Sequence, residues 1–221
     1  MIIRISQIAS NIRQSHEIES ENFYFHGEAG PVSRFQHIII SNQSITIKGV
    51  YRISKWTNYI PFRYLLGHDN RTKRFSLYRN DKAYGSIVFS EHGFLKSCYI
   101  IALDDGTLLH CYSVAKGSFH CVCIYAEEKQ IALIETYLNV DDYKYVHKLY
   151  LLEDYERFAD TLSFFTVYYA SYHFAKRLHM SKNSSYRKSW TFSKYNKKYD
   201  PAWRITHFPN ENFFGKIHLF S

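Results

Sequence analysis

Residues 155–178 read YERFADTLSFFTVYYASYHFAKRL, and this stretch decides the expected fold. It contains no Gly or Pro, and at 3.6 residues per turn its apolar side chains cover most of the helix circumference. A helix of this kind must be surrounded by protein. It is not a good membrane span, which needs about 18 clean apolar residues. The polar residues that interrupt it are Asp160, Thr161, Ser163, Thr166, Ser171 and His173.

The sequence before this helix predicts what surrounds it. From residue 23 onward, short runs rich in Ile, Val, Tyr and Phe are separated by turn residues, which is typical of an antiparallel sandwich or barrel. In the last run, Lys144 and Lys148 would point outward while Tyr145 and His147 point inward. About eleven strands are predicted, over residues 23–26, 35–40, 44–53, 62–66, 74–78, 85–89, 97–103, 107–114, 118–126, 131–138 and 143–152.

These features predict a mainly β protein in which a closed antiparallel barrel encloses a hydrophobic α-helix at about 155–178. A closed sheet has no exposed edges, and its interior must be filled. The helix that follows the last strand is the obvious filler. Residues 1–22 are predicted to be an N-terminal arm or a short amphipathic helix, residues 23–178 the barrel with its helix, and residues 179–221 a basic aromatic extension.

The order of these elements resembles the tubby C-terminal-like superfamily, which contains the tubby domain, the phospholipid scramblases and the plant LURP-one-related proteins. The likeness is carried by many meandering strands that end in QIALIE (130–135) and YKYVHKLYL (143–151), followed at once by the apolar helix that begins with acidic residues. It covers about residues 30–178 and includes no short diagnostic motif. The resemblance implies a barrel of roughly twelve strands threaded by the helix.

The chain also departs from that superfamily. In the family the central helix lies close to the C-terminus, whereas here 43 residues follow Leu178. The phosphoinositide-contacting basic residues of tubby have no matching positions in this sequence, so no functional residue is carried over from the family.

The net charge of the chain is concentrated after the helix. The full sequence has 28 Lys+Arg and 20 Asp+Glu, and residues 1–175 contain 18 of each. The last 46 residues therefore hold the whole excess of +8. This distribution indicates an anionic partner for the C-terminal extension.

Within the extension, cations are interleaved with aromatic rings. This composition suits anionic lipid headgroups at a membrane surface. It equally suits single-stranded nucleic acid, or a solvated extension that packs its rings on the barrel. The candidate anion-binding residues are Arg187, Lys188, Lys194, Lys197, Lys198, Trp190 and Tyr195, with a second small cluster of Arg71, Lys73 and Arg74.

Four cysteines are present, and no secretory signal is recognisable, so disulfides are not expected. Cys121 and Cys123 would share one face of a strand, which permits a thiolate metal site. No Cys-x-x-Cys spacing accompanies them, and we expect them to pack as small apolar residues against the central helix.

Catalytic and metal-binding patterns are also missing from the sequence. The 12 histidines match no ligand spacing, and the chain has no nucleophile elbow, P-loop or dinucleotide fingerprint. His110 and Cys111 would face opposite sides of a strand, as would His120 and Cys121. On the helix, His173 is expected to be a packed or hydrogen-bonded core residue and Asp160 the one buried carboxylate.

The sequence therefore predicts a cytoplasmic, non-enzymatic binding module of the tubby-like kind, without cofactor, metal or transmembrane segment. Its expected partner is an anionic phospholipid or a membrane surface, at which it would be peripheral. Nucleic acid is the alternative partner for the same extension. A protein-interaction or small-ligand-binding barrel is a further alternative, and no protein partner is indicated.

Overall fold

The computed structural model describes residues 1–10, 13–30, 37–52, 71–91, 97–116, 119–138, 144–174 and 197–210. Within these residues the chain forms twelve strands before the central helix. They are β1 (Ile2–Ser10), β2 (Gln14–Glu19), β3 (Tyr24–Ala29), β4 (His37–Ser41), β5 (Thr46–Arg52), β6 (Arg71–Arg79), β7 (Lys82–Glu91), β8 (Ser97–Leu103), β9 (Leu108–Lys116), β10 (Phe119–Ala126), β11 (Lys129–Leu138) and β12 (Tyr145–Leu151).

The twelve strands form a closed antiparallel barrel. Each strand pairs with its neighbours in sequence, and β1 closes the sheet by pairing with β12, with Ile2 opposite Tyr150 and Ser6 opposite Val146. The closed antiparallel barrel predicted from the sequence is confirmed.

Successive strands run in opposite directions, so the connections between them lie alternately at the two ends of the barrel. We call these the helix-start end and the helix-exit end. At the helix-start end, β12 finishes and the chain turns into the interior through the 3₁₀ helix Glu153–Phe158, followed by α1 (Ala159–His173). At the helix-exit end, α1 finishes near the first residues of β8. Two contacts fix this direction: Asp160 pairs with Arg79 at the end of β6, and His173 bonds Tyr99 near the start of β8.

Helix α1 fills the barrel, as its all-round apolar surface predicts. Twelve of its residues are buried, and Phe164, Phe165 and Tyr169 are fully enclosed by the surrounding strands. The enclosed hydrophobic helix is confirmed, although the part predicted beyond Phe174 lies outside the described residues.

The prediction for residues 1–22 is wrong, because this segment forms β1 and β2 of the barrel. Its inward positions alternate in a two-residue period, with Ile3, Ile5 and Gln7 buried on β1. On β2 the inward residues include Gln14 and His16. These polar residues on the core face hide the alternation in the sequence. The strand predicted at 62–66 lies outside the described residues.

Candidate anion-binding surface

The smaller of the two predicted basic clusters lies at the helix-exit end of the barrel. Arg71, Lys73 and Arg74 belong to the first four residues of β6. The backbone register places Arg74 directly opposite Arg52, the last residue of β5. On the other side, the three β6 residues pair with Ser90, Phe89 and Val88 of β7.

We refer to Arg52, Arg71, Lys73 and Arg74 as the β5–β6 basic cluster. Sequence reasoning missed Arg52 because 18 residues separate it from Arg71, and only the register joins the two.

The larger predicted cluster is only partly within the described residues. Lys197 and Lys198 are described, whereas Arg187, Lys188, Trp190, Lys194 and Tyr195 lie outside the described residues. Lys197 is exposed. Lys198 contacts strands β9 and β10, and β7 and β8 lie between these strands and β6 in the sheet. The described lysines of the extension therefore do not join the β5–β6 basic cluster.

Lys198 takes part in docking residues 197–210 onto the outside of the barrel. Its ammonium group lies 4.9 Å from the ring centroid of Tyr125 and 4.0 Å from Oε2 of Glu128. The Tyr125 hydroxyl donates a hydrogen bond of 2.9 Å to the Lys198 carbonyl oxygen. The ammonium group of Lys198 therefore interacts with other residues of the same chain, and the docked part of the extension is a structural element.

The docked segment covers an apolar patch on the outer face of the sheet. It contains the short helix α2 (Pro201–His207), which Asp200 caps by accepting a hydrogen bond of 2.8 Å from the Ala202 amide. Trp203 of α2 is buried against this patch, and Phe208 packs 5.3 Å from the ring of Tyr150. The fully covered barrel residues are Val114, Cys121, Cys123, Leu133 and Tyr150.

The two nearby cysteines are therefore buried on a different face from the one expected. Cys121 and Cys123 share a strand face, as predicted, but they lie under Trp203 and not against the central helix. Val122 and Ile124 occupy the inward positions of β10. The hydrogen bond with Cys123, together with burial, raises the pKa of the Cys121 thiol, so this thiol is protonated at neutral pH.

A buried ion pair joins the docked segment to β11. Arg204 Nε lies 3.5 Å from Oε1 of Glu135, and these side chains are only 7% and 2% exposed. The Tyr137 hydroxyl donates a hydrogen bond to the same carboxylate. Burial is the larger cause of the raised pKa of Tyr137, and this hydrogen bond is the next. Asp160 was expected to be the one buried carboxylate. That prediction is wrong, because Glu135 is more deeply buried than Asp160.

The sequence does contain a signal for this covered face. Residues 121–126 read CVCIYA, so both faces of β10 are apolar. A strand of this kind is buried on both sides, which indicates a covering element outside the barrel. The ion pair has no comparable signal, because 68 residues separate Glu135 from Arg204.

A polar layer lies inside the barrel at the helix-exit end. The Tyr169 hydroxyl is 2.7 Å from Ser113 Oγ and 3.1 Å from His120 Nε2. His173 is exposed at the end of α1, and its Nε2 lies 2.8 Å from the Tyr99 hydroxyl. The predicted hydrogen bonding of His173 is confirmed, but its prediction as a core residue is wrong because the side chain is exposed. The expected opposite orientation of His120 and Cys121 is confirmed, since His120 contacts the helix while Cys121 lies under α2.

Two further histidines of this layer are fully enclosed. His147 Nδ1 lies 3.0 Å from Thr136 Oγ1, whereas neither ring nitrogen of His16 has a hydrogen-bond partner among the described residues. Burial, with a smaller repulsion from His26, lowers the pKa of His16 to about 4. Burial, with repulsion from His16 and His120, lowers the pKa of His147 to about 3. Both rings are neutral at neutral pH.

The described residues contain no group of three or more His, Cys, Asp or Glu arranged to hold a metal ion. Among them, no helix combines the length and the hydrophobicity that are needed to cross a bilayer. Comparisons of the chain with protein-family models, with curated proteins and with solved structures find no match. Function is therefore inferred from the chain's own residues.

Proposed function

We propose that this chain is a non-enzymatic binding module of the tubby-like type that contacts an anionic phospholipid surface through the β5–β6 basic cluster. One observation carries the proposal: Arg52 and Arg74 are register partners on neighbouring strands, with Arg71 and Lys73 beside them. Basic residues that are neighbours in the backbone register can bind the same phosphate group.

The chemistry of the cluster fits a lipid phosphate. Three of its four members are arginines, whose planar guanidinium groups bind phosphate oxygens with two hydrogen bonds. Each cation close to an anionic membrane contributes on the order of 1 kcal/mol to binding. Four cations at one end of a barrel are therefore enough for reversible peripheral binding.

The extension has a divided role in this proposal. Residues 197–210 attach the chain end to the barrel through Trp203 and the Arg204–Glu135 ion pair. The basic aromatic residues at 187–195, which lie outside the described residues, are a second candidate for contact with anionic lipid. Truncation of the chain after Leu178 is a poor test, because it would also uncover the apolar patch under Trp203.

The direct test is co-sedimentation of the full chain with phosphatidylserine-containing vesicles and with pure phosphatidylcholine vesicles, at low and at physiological salt. We expect binding to the anionic vesicles only, weakening as salt rises. A single-stranded oligonucleotide is then added as a competitor. Release from the vesicles at low oligonucleotide concentration would favour nucleic acid as the partner, and failure to bind anionic vesicles at low salt would reject the lipid proposal.

A further inference from the structure

Two buried histidines lie on either side of strand β1, inside the barrel. His147 is on β12, opposite Ile5 of β1, and His16 is on β2, opposite Gln7 of β1. These histidines are only 1% and 0% exposed. Among the described residues, Nε2 of His147 and both ring nitrogens of His16 lack a hydrogen-bond partner. A proton taken up by either ring would therefore place a charge in the interior without a compensating group.

The titratable groups that act on these two rings are other histidines. Burial is the main cause of the lowered pKa of each ring, and repulsion adds to it: His26 on β3 acts on His16, while His16 and His120 on β10 act on His147. Tyr145, whose ring lies 6.5 Å from that of His147, is neutral in acid. Protonation of both rings would therefore place two like charges on the two flanks of β1. The residues that β1, β3, β11 and α1 contribute beside the two rings do not titrate, and they are Ile5, Gln7, Gly27, Thr136, Val167 and Phe174.

The pairing of β1 with β12, which we call the closing seam, joins the first strand of the barrel to the last. Every other strand pair is formed by strands that follow each other in the chain. At the helix-start end, Met1 and Leu151 exchange two backbone hydrogen bonds of 2.9 and 3.0 Å. At the helix-exit end the register stops at Ser6, and the next contact is a long hydrogen bond of 3.4 Å from the Tyr145 amide to Gln7 Oε1. The seam can therefore open at this end while all the hairpins stay paired.

We infer that the closing seam is an acid-sensitive switch, in which protonation of His16 and His147 separates β1 from β12 at the helix-exit end and admits water to the interior. This inference goes beyond the proposed function and does not depend on it. The pKa values of His16 and His147 are about 4 and about 3 in the closed barrel, against about 6.5 for a hydrated ring. The closed form is therefore fully favoured above pH 6.5, and the open form gains as the pH falls. Between pH 7 and pH 5, each histidine shifts the opening equilibrium by about twentyfold.

Hydrogen exchange of the full chain, followed by mass spectrometry, tests the switch at pH 7 and pH 5, with labelling times adjusted for the pH dependence of intrinsic exchange. We expect β1 and β12 to exchange at least about tenfold faster at pH 5, and low urea should not accelerate them further, because local opening exposes little surface. Strands β6 and β7 lie on the opposite side of the barrel. They should exchange more slowly and respond strongly to urea, as global unfolding does.

Two variants assign the effect to the histidines. His16→Leu/His147→Leu should reduce the acid acceleration in β1 and β12 to less than about threefold, because neither position can then take up a proton. His37→Gln, which removes an exposed histidine from β4, should keep the acceleration. Should the double variant fail to fold, the pattern in the unaltered chain decides by itself. The switch is overturned if β1 and β12 are not accelerated at pH 5, or if they share the rate and the urea dependence of β6 and β7. Acceleration that persists in a folded double variant would also overturn it.

Discussion

Gly49 on β5 faces the ring of Phe164 on α1 so closely that no side chain fits between them. A Cβ atom at Gly49 would overlap Cζ of Phe164 and Cε1 of Phe75, and would lie 2.8 Å from Cδ1 of Phe75. We expect Gly49→Ala to lower the free energy of unfolding by about 1–3 kcal/mol, because the rings must leave their packed positions. Urea denaturation followed by circular dichroism measures this change.

Gly27 is the matched control for that substitution. It lies on β3, and a Cβ atom there would make ordinary contacts of 3.4–3.5 Å with His16, Ile40 and Val167. Gly27→Ala should change stability by less than about 1 kcal/mol. Similar losses of stability in Gly49→Ala and Gly27→Ala would contradict the close fit between Gly49 and the central helix.

The close fit at Gly49 illustrates which parts of the fold can be predicted from the sequence. The all-round apolar surface of residues 155–174 is a local pattern, and it predicts an enclosed helix directly. The strand character of residues 2–19 was missed because Gln7, Gln14 and His16 occupy inward positions, where an apolar residue is expected. A buried polar layer therefore concealed two of the twelve strands.

The docked segment should depend on the Arg204–Glu135 ion pair. Removing one partner of a buried pair leaves the other charge without compensation, at a cost of about 3–5 kcal/mol. We expect Arg204→Met to weaken docking enough to accelerate alkylation of Cys121 and Cys123 by at least about tenfold, because the segment covers both thiols. Alkylation with iodoacetamide, followed by peptide mass spectrometry, measures each site separately.

Lys197→Met is the appropriate comparison, because it removes an exposed cation from the same segment. This variant should keep the slow alkylation of the unaltered chain. Cys111, which packs in the barrel interior, should stay slow in both variants. Acceleration at Cys111 would mean that the whole barrel loosens, and unchanged rates at Cys121 and Cys123 would contradict the role of the ion pair.

The enclosed histidines make the barrel sensitive to acid. The pKa of His16 is about 4 in the folded protein and about 6.5 in the unfolded chain, so the unfolded chain takes up the proton first. Stability is therefore fully present above pH 6.5 and falls as the pH decreases toward 4. His16→Leu removes this titration. Between pH 7 and pH 5, its free energy of unfolding should therefore fall by roughly 2 kcal/mol less than that of the unaltered chain.

Denaturation curves at pH 7, 6 and 5 measure that difference, with His26→Gln as the control. His26 lies on the neighbouring strand β3 and is about half exposed, and its repulsion is only the smaller cause of the lowered pKa of His16, so this variant should keep most of the acid sensitivity. If His16→Leu and the unaltered chain lose stability in parallel, burial of a neutral His16 is not the source of the acid sensitivity.

The candidate site was less accessible to sequence reasoning than the fold. Lys73 and its neighbours were recognisable as a short basic run, but the addition of Arg52 depends on strand register across a long connection. Conversely, the sequence offers Lys198 as a ligand-binding cation, whereas the structure places it in contact with Tyr125 and Glu128.

Vesicle binding by two charge-matched variants tests the central claim most directly. Arg71→Gln/Lys73→Gln/Arg74→Gln removes three cations from the β5–β6 basic cluster, and Arg4→Gln/Lys82→Gln/Lys129→Gln removes three exposed cations near the other end. At low salt, we expect the first variant to bind phosphatidylserine-containing vesicles on the order of a hundredfold more weakly, and the second to bind within about threefold of the unaltered chain. Equal losses in the two variants, or no loss in the first, would contradict the assignment of the cluster as the binding surface.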